Sequence, residues 1–259
     1  MTANYSNLLH KRSRDSALGY PAQALARSQE AVTLAQQRAH PFSLAFALGL
    51  TAQFHHFRRE VRWTQERAEA AMTLAQEQGF LHWRAVGCTF RGWALAQQAG
   101  QAKEGIEQLT QGLRAIRATG VELRRPYYLA LLAQAYGIMG QAEAGLTALA
   151  EALTLADTTG ERFYEPERYR LKGSLLLQQH VDHQAEAESC FHHALEIARH
   201  QQAKSFELRT ATSLARLWQQ QGKRQEASDL LAPIYGWFTE GFDTPDLQEA
   251  KALLEELVG

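Results

Sequence analysis

Residues 125–160 read RPYYLALLAQAYGIMGQAEAGLTALAEALTLADTTG, and they decide the fold because they contain two amphipathic helical patterns separated by a glycine turn. In the first half, apolar side chains recur at the spacing of one helical face, at Leu129, Leu132, Ala133 and Tyr136. Gly140 is suited to end that helix, since glycine tolerates the left-handed backbone of a helix C-terminus. A second apolar face follows and ends at Gly160. We predict an antiparallel helix pair that needs neighbouring pairs to bury its remaining apolar surface.

The same pattern recurs along the chain with a period of 40 to 42 residues. We take the residue that closes the first helix of each pair as a marker, and the six markers are Gly19, Arg59, Gly100, Gly140, Asp182 and Gly222. The residue five positions after each marker is small: Ala24, Thr64, Gly105, Gly145, Ala187 and Ala227. A register kept over six repeats predicts an all-α, right-handed solenoid of about six helix pairs.

This pattern resembles the tetratricopeptide repeat, whose usual period is 34 residues. The matching features are a small residue in the first helix (Ala52, Ala133 and Ala215), the closing glycine and the small residues of the second helix. Four segments also resemble the long-helix, MalT-like repeats at the C-terminus of bacterial predicted ATPases, which often carry a nucleotide-cyclase domain: His40–Leu48, Glu66–Phe80, Gly160–Leu177 and Leu231–Leu257. The resemblance covers about residues 17–258. It implies the sensor or regulatory repeat region of a signalling ATPase.

Both ends of the chain are predicted to differ from the repeats. Residues 1–17 are expected to form an atypical first helix, because Lys11, Arg12 and Asp15 occupy positions that are apolar or small in later repeats. This stretch is either a polar cap or the start of a piece cut from a longer protein. We favour the second interpretation, since the resembled family has more repeats upstream. Residues 245–257 predict a capping helix with one apolar and one charged face, and residues 1–259 are expected to form a single solenoid.

Composition argues against several classes of partner. The chain has 27 Lys and Arg against 28 Asp and Glu, a net charge of −1, whereas nucleic-acid binding normally needs clustered positive charge. The sequence has no apolar run approaching the roughly 18 residues of a membrane span and no apolar core of a secretory signal. Cys88 and Cys190 are interpreted as reduced core residues. We therefore predict a cytoplasmic protein with no nucleic-acid or membrane partner.

The sequence contains none of the motifs that would indicate an enzyme. It has no phosphate-binding loop G-x-x-x-x-G-K-[ST], no G-x-S-x-G and no H-E-x-x-H, so we predict no catalytic residue and no cofactor. Four histidines lie close together in sequence, at His180, His183, His192 and His193. Their spacing matches no recognised metal site, and we interpret them as a solvated surface rather than as ligands.

The concave face is the predicted binding surface, because the resembled repeats line that face with their first helices and usually bind ligands there. In that family the groove-facing positions lie thirteen, ten, nine and six residues before the marker. The residues selected there in repeats four to six are Tyr127, Gln134, Tyr169, Lys172, Arg209 and Arg216. Tyrosine and arginine are the residue types that dominate binding energy at interfaces, and arginine holds a carboxylate with two hydrogen bonds.

These residues predict a non-enzymatic scaffold that binds a protein or peptide, an acidic peptide in particular, or a second copy of the chain. Two alternatives stay open. The aromatic rings could pack between repeats instead of binding a partner, and the concavity could serve a small-molecule or metal sensor. We expect Arg209 and Arg216 to be exposed, so that replacing both leaves the stability nearly intact.

Overall fold

The computed structural model describes residues 19–122 and 124–258, and it is all-helical over them. Its twelve α-helices are α1 (Pro21–Gln37), α2 (Pro41–Phe57), α3 (Val61–Gln78), α4 (Leu81–Ala96), α5 (Ala102–Ala118), α6 (Arg125–Ile138), α7 (Ala142–Thr159), α8 (Glu165–Gln179), α9 (Gln184–His200), α10 (Lys204–Gln220), α11 (Arg224–Tyr235) and α12 (Pro245–Val258). A 3₁₀ turn, Val181–His183, separates α8 from α9, and no strand occurs in these residues. The all-α repeat solenoid is confirmed. The predicted first helix, 1–17, lies outside the described residues.

Left-handed residues separate the helices of each pair, as the markers predicted. Five of the six markers have a positive φ, between 58° and 95°: Gly19, Arg59, Gly100, Gly140 and Gly222. Five second helices end in the same way, at Ala39, Gly79, Gly120, Gly160 and Gln202, whereas the cap of α11, Gly236, has a right-handed backbone. Asp182 is the exception, because it lies within the 3₁₀ turn. A left-handed residue stops a helix and lets the chain turn back, so successive helices pack as antiparallel pairs.

The helices are arranged in two layers. Each helix packs on the next one in sequence, and the first helices of neighbouring repeats also contact one another. Therefore α2, α4, α6, α8 and α10 form an inner layer, and α3, α5, α7, α9 and α11 form an outer layer. The inner layer is deeply buried, since every residue of α2 from Ala47 to Phe57 is buried. Helix α12 packs on both α10 and α11 and covers the end of the array.

Helix α11 differs from its predicted course. The sequence predicts a helix over Arg224–Phe238 that bends at Pro233, because proline has no N–H to donate to the carbonyl of Asp229. The observed helix instead ends at Tyr235, two residues beyond the proline. Because Pro233 cannot donate this hydrogen bond, the helix ends shortly after it and does not continue as a bent helix.

The solenoid curls until its first repeats contact its last. Arg58, just after α2, donates a hydrogen bond to the Pro21 carbonyl and another, 3.2 Å long, to Asp243 beside α12. The Glu240 carboxylate accepts a hydrogen bond of 2.9 Å from the backbone N–H of Ala22. Arg209 of α10 donates to the Phe57 carbonyl at 2.9 Å. The C-terminal end of α2 is therefore enclosed by helices that lie far from it in sequence.

A polar cavity enclosed by the inner helices

A cavity of about 270 Å³ lies on the concave side, where α6, α8 and α10 face the end of α2 and the start of α12. We call it the concave cavity. Its charged wall holds Arg59, Glu167, Arg170, Arg209, Arg216, Asp246 and Glu249, and an apolar wall holds Ile138, Leu171 and Leu175. Four arginines face three carboxylates, which leaves one positive charge in excess. The cavity is thus of mixed charge, although every charged residue selected there from the sequence, Lys172, Arg209 and Arg216, is cationic.

Arg209 is the most deeply placed of these cations, with 8% of its surface exposed. Its Nε and Nη2 donate to the Asp246 carboxylate at 2.6 to 3.2 Å, and Nη1 lies 3.5 Å from Glu167. Burial opposes the charge of both partners, yet Asp246 and Glu167 raise the pKa of Arg209, while Arg209 and Arg59 lower the pKa of Asp246. The expectation of an exposed Arg209 is therefore wrong, because the closing of the solenoid buries it against α12.

Arg59 completes an ion-pair network across the cavity wall. Its Nη1 donates to Asp246 at 3.1 Å and its Nη2 donates to Glu249 at 2.7 Å. Arg59 follows α2, whereas both carboxylates belong to α12, so the network joins repeat two to the cap. We call Arg59, Arg209, Asp246 and Glu249 the closure network. All four side chains line the concave cavity.

Gln134 and Arg216 lie on the cavity wall, as the sequence register places them. The Gln134 amide oxygen accepts a hydrogen bond of 2.9 Å from Trp93 Nε1. The Arg216 side chain is 53% exposed, and its nearest carboxylate oxygen, on Glu249, is 3.8 Å away. That separation exceeds hydrogen-bond length. Arg216 is therefore the cavity arginine whose guanidinium is best placed to meet a ligand, and its role in binding stays a prediction.

Tyr127 does not line the cavity. It is 2% exposed, its hydroxyl lies 2.7 Å from His56 Nδ1, and its ring meets that of Tyr164 edge-on. Tyr127 therefore packs between repeats, which was the alternative to ligand binding for the aromatic rings. His56 itself reaches the cavity with Trp93, the two ring centroids being 4.5 Å apart. Burial, and then the charge of Arg209, lowers the pKa of His56 well below its usual value, so the imidazole is neutral.

Tyr169 and Lys172 also lie away from the cavity, because the marker in repeat five is displaced. The Tyr169 ring packs on His193, and the Lys172 ammonium lies 3.4 Å from Glu186, both on α9. The residues two positions earlier, Glu167 and Arg170, line the cavity instead.

The reason for this displacement is a two-residue insertion at the 3₁₀ turn between α8 and α9. Counting back from position 180 instead of Asp182 selects Glu167, Arg170, Leu171 and Ser174, and all four line the cavity. Arg170 donates to both oxygens of Glu167, at 2.9 and 2.7 Å. The spacing of 42 residues at this repeat, together with the missing glycine, was the signal that could have located the insertion.

The histidine cluster remains spread over a surface. The rings of His180 and His183 are 6.2 Å apart, and His192 Nε2 lies 3.8 Å from Glu188. Within residues 19–122 and 124–258, no group of three or more His, Cys, Asp or Glu side chains is arranged to hold a metal ion. No helix in the same part of the chain is both long enough and apolar enough to cross a membrane.

Comparison with known proteins places the fold among tetratricopeptide-like repeats. No family model matches the chain, and no curated protein matches it either. A solved Rap protein in complex with competence and sporulation factor is 14% identical, with a TM-score of 0.63 over 98% of this chain and 88% of its own. The apo form of RapI is 9% identical, with a TM-score of 0.55 over 98% of this chain and 96% of its own.

A third solved structure is a signal transduction ATPase with numerous domains from Pyrococcus horikoshii, which has a tetratricopeptide repeat sensor. It is 13% identical, with a TM-score of 0.57 over 99% of this chain. The present chain spans 39% of the length of that protein. Identities this low establish the shared fold and nothing finer.

Proposed function

We propose that this chain is a non-enzymatic scaffold that binds a peptide or a segment of a protein in the concave cavity. The observation that carries the proposal is that five separate parts of the fold line one cavity. Helices α6, α8 and α10, the end of α2, and α12 each supply side chains to its wall. A repeat scaffold that assembles such a wall can hold a ligand from several sides at once, which favours specific recognition.

The cavity chemistry favours an acidic or carboxylate-bearing peptide. At about 270 Å³ it lies near the lower limit of ligand pockets, roughly 300 Å³, so it would admit a short segment and exclude a folded domain. Arg216 offers a half-exposed guanidinium that can take a carboxylate with two hydrogen bonds. Ile138, with 48% of its surface exposed, offers an apolar contact on the opposite wall.

The solved neighbours support a regulatory role for such a scaffold. One of them is an ATPase with a tetratricopeptide repeat sensor, and another holds a bound factor. By analogy of fold, we place this chain in the sensor or regulatory repeat region of a bacterial, cytoplasmic signalling ATPase. The small cavity volume also suits a second candidate, a small-molecule sensor that uses the same charged wall.

The experiment compares peptide binding by the native chain and by two matched arginine variants. Fluorescence anisotropy with panels of acidic, neutral and basic short peptides would identify a ligand class. Arg216→Ala should weaken the binding of acidic peptides by about tenfold or more, equivalent to about 1.4 kcal/mol. Arg62→Ala, which removes an 85%-exposed guanidinium outside the cavity, should leave binding unchanged.

Other results would redirect the proposal. Equal binding by the native chain and by Arg216→Ala would move the ligand to the outer face and contradict the cavity assignment. A set of metabolites that raises the melting temperature, while no peptide binds, would favour the small-molecule sensor. A concentration-dependent dimer that Arg216→Ala disrupts would identify a second copy of the chain as the partner.

A further inference from the structure

We infer that the closure network is a latch that an anionic ligand in the concave cavity releases. This inference rests on the proposed function only in the choice of ligand. Two observations about the same four side chains support the latch. They line the cavity, and they connect repeat two with the last repeat and the capping helix, since Arg59 pairs with Asp246 and Glu249 while Arg209 pairs with Asp246 and donates to the Phe57 carbonyl.

The closure network connects a buried ion pair of the last repeat and the cap, Arg209 with Asp246, to Arg59 of repeat two. Asp246 is 11% exposed and Arg209 is 9% exposed as side chains, so water screens their attraction little. The other ion pair that bridges the two ends, Arg58 to Asp243, includes a carboxylate that is 76% exposed. Exposed pairs contribute little to stability. The ion pairs of Arg59 with Asp246 and Glu249 therefore hold α12 near α2 more firmly than the pair of Arg58 with Asp243 does, and they act beside the ring contact of Tyr20 with Trp237.

Glu249 is the member of the latch that a ligand would disturb. One of its oxygens accepts from Arg59 at 2.7 Å, and the other lies 3.8 Å from Arg216. A ligand carboxylate on Arg216 would place a second negative charge beside Glu249. The ligand carboxylate and the Glu249 carboxylate would repel each other, and both would compete for the guanidinium groups of Arg59 and Arg216. Movement of Glu249, and of the helix that carries it, away from Arg59 would relieve that repulsion.

The consequence is a coupling between cavity occupancy and the distance between repeat two and α12. Because linkage is reciprocal, a change that opens the latch should also make an anionic ligand bind more tightly. Occupancy would then be converted into a movement of the capping helix relative to repeat two.

The first test needs no ligand. Spin labels replace Arg62 on α3 and Lys251 on α12, both exposed residues that flank the latch, in a chain with Cys88→Ala and Cys190→Ala. Double electron–electron resonance should give one narrow distance for this chain. Glu249→Gln, which keeps the side-chain size and removes the charge, should shift the distribution to longer distances. Glu255→Gln, an exposed carboxylate on the same helix, serves as the control and should leave the distance unchanged.

The second test adds short poly-glutamate peptides as the anionic probe. The probe should lengthen the distance in the native chain and should bind Glu249→Gln more tightly, by roughly 5- to 150-fold. Unchanged distance in Glu249→Gln would overturn the latch even if the probe binds, and the proposed function would stand. A longer distance in Glu249→Gln with no binding of the probe to either chain would support the latch as a closure device. It would contradict the anionic ligand.

Discussion

Replacement of Arg209 by alanine is the sharpest test of how the solenoid closes. The change removes a buried guanidinium that donates to Asp246 and to the Phe57 carbonyl and stands 3.5 Å from Glu167. Both carboxylates then remain buried with less compensation, which for a broken buried pair costs about 3 to 5 kcal/mol. Asp246 keeps Arg59 and Glu167 keeps Arg170. We therefore expect the lower end, about 3 kcal/mol.

The assay is thermal unfolding followed by circular dichroism, with Arg216→Ala as the matched control. For a chain of this size, a loss of about 3 kcal/mol lowers the melting temperature by roughly 6 to 12 °C. Arg216 is half exposed, and its guanidinium lies 3.8 Å from Glu249, beyond hydrogen-bond distance, so its replacement should cost under about 0.5 kcal/mol. Equal melting temperatures for the two variants would refute the assignment of Arg209 to the buried network.

A double-mutant cycle tests whether Asp246 is the ion-pair partner of Arg209. Asp246→Asn alone and Arg209→Ala alone each break the pair, so the double variant should lose less stability than the sum of the two single losses. A coupling of about 0.5 to 3 kcal/mol is expected for residues in direct contact. Additive losses would show that the two side chains act independently, contrary to their 2.6 Å contact.

Two further outcomes follow from burial and packing. Burial, and then the charge of Arg209, lowers the pKa of His56 well below its usual 6.5. Below pH 6.5 the unfolded chain therefore takes up a proton that the folded chain excludes, and stability falls as the pH falls. Melting temperatures measured across this range should fall less steeply in His56→Gln than in the exposed control His192→Gln. Gly105→Ala should cost about 1 to 3 kcal/mol by overpacking, since its Cβ would lie 2.5 Å from the Ala96 nitrogen. Gly236→Ala is the matched control and should lower the melting temperature less, because its Cβ would lie 3.3 Å from the Ala232 oxygen. Equal losses would contradict the close approach of α4 and α5.

Repeat register and most helix boundaries were predictable from the sequence because they depend on local chemistry. A glycine in the left-handed region, a proline in the first turn and small residues at fixed offsets act over a few positions each. For that reason the markers Gly100, Gly140 and Gly222 coincide with observed positive φ values. The same register placed Gln134 and Arg216 on the cavity wall.

Offsets counted from a single marker were not enough to place the side chains of repeat five. A two-residue insertion before α9 moved Tyr169 and Lys172 out of the groove-facing positions and brought Glu167 and Arg170 into them. A pattern of offsets counted from one marker cannot detect that change, because the insertion lies between the two helices of a single repeat.

Closure of the solenoid was decided by tertiary structure alone. The contacts that bury Arg209 and His56 join residues as far apart as 152 positions, as in the bond from Arg209 to the Phe57 carbonyl. Such contacts depend on the summed rotation of every repeat between them, which no local pattern contains. The chain's own residues thus specify each helix pair, whereas the curvature of the whole array decides which charged side chains meet and where a cavity remains.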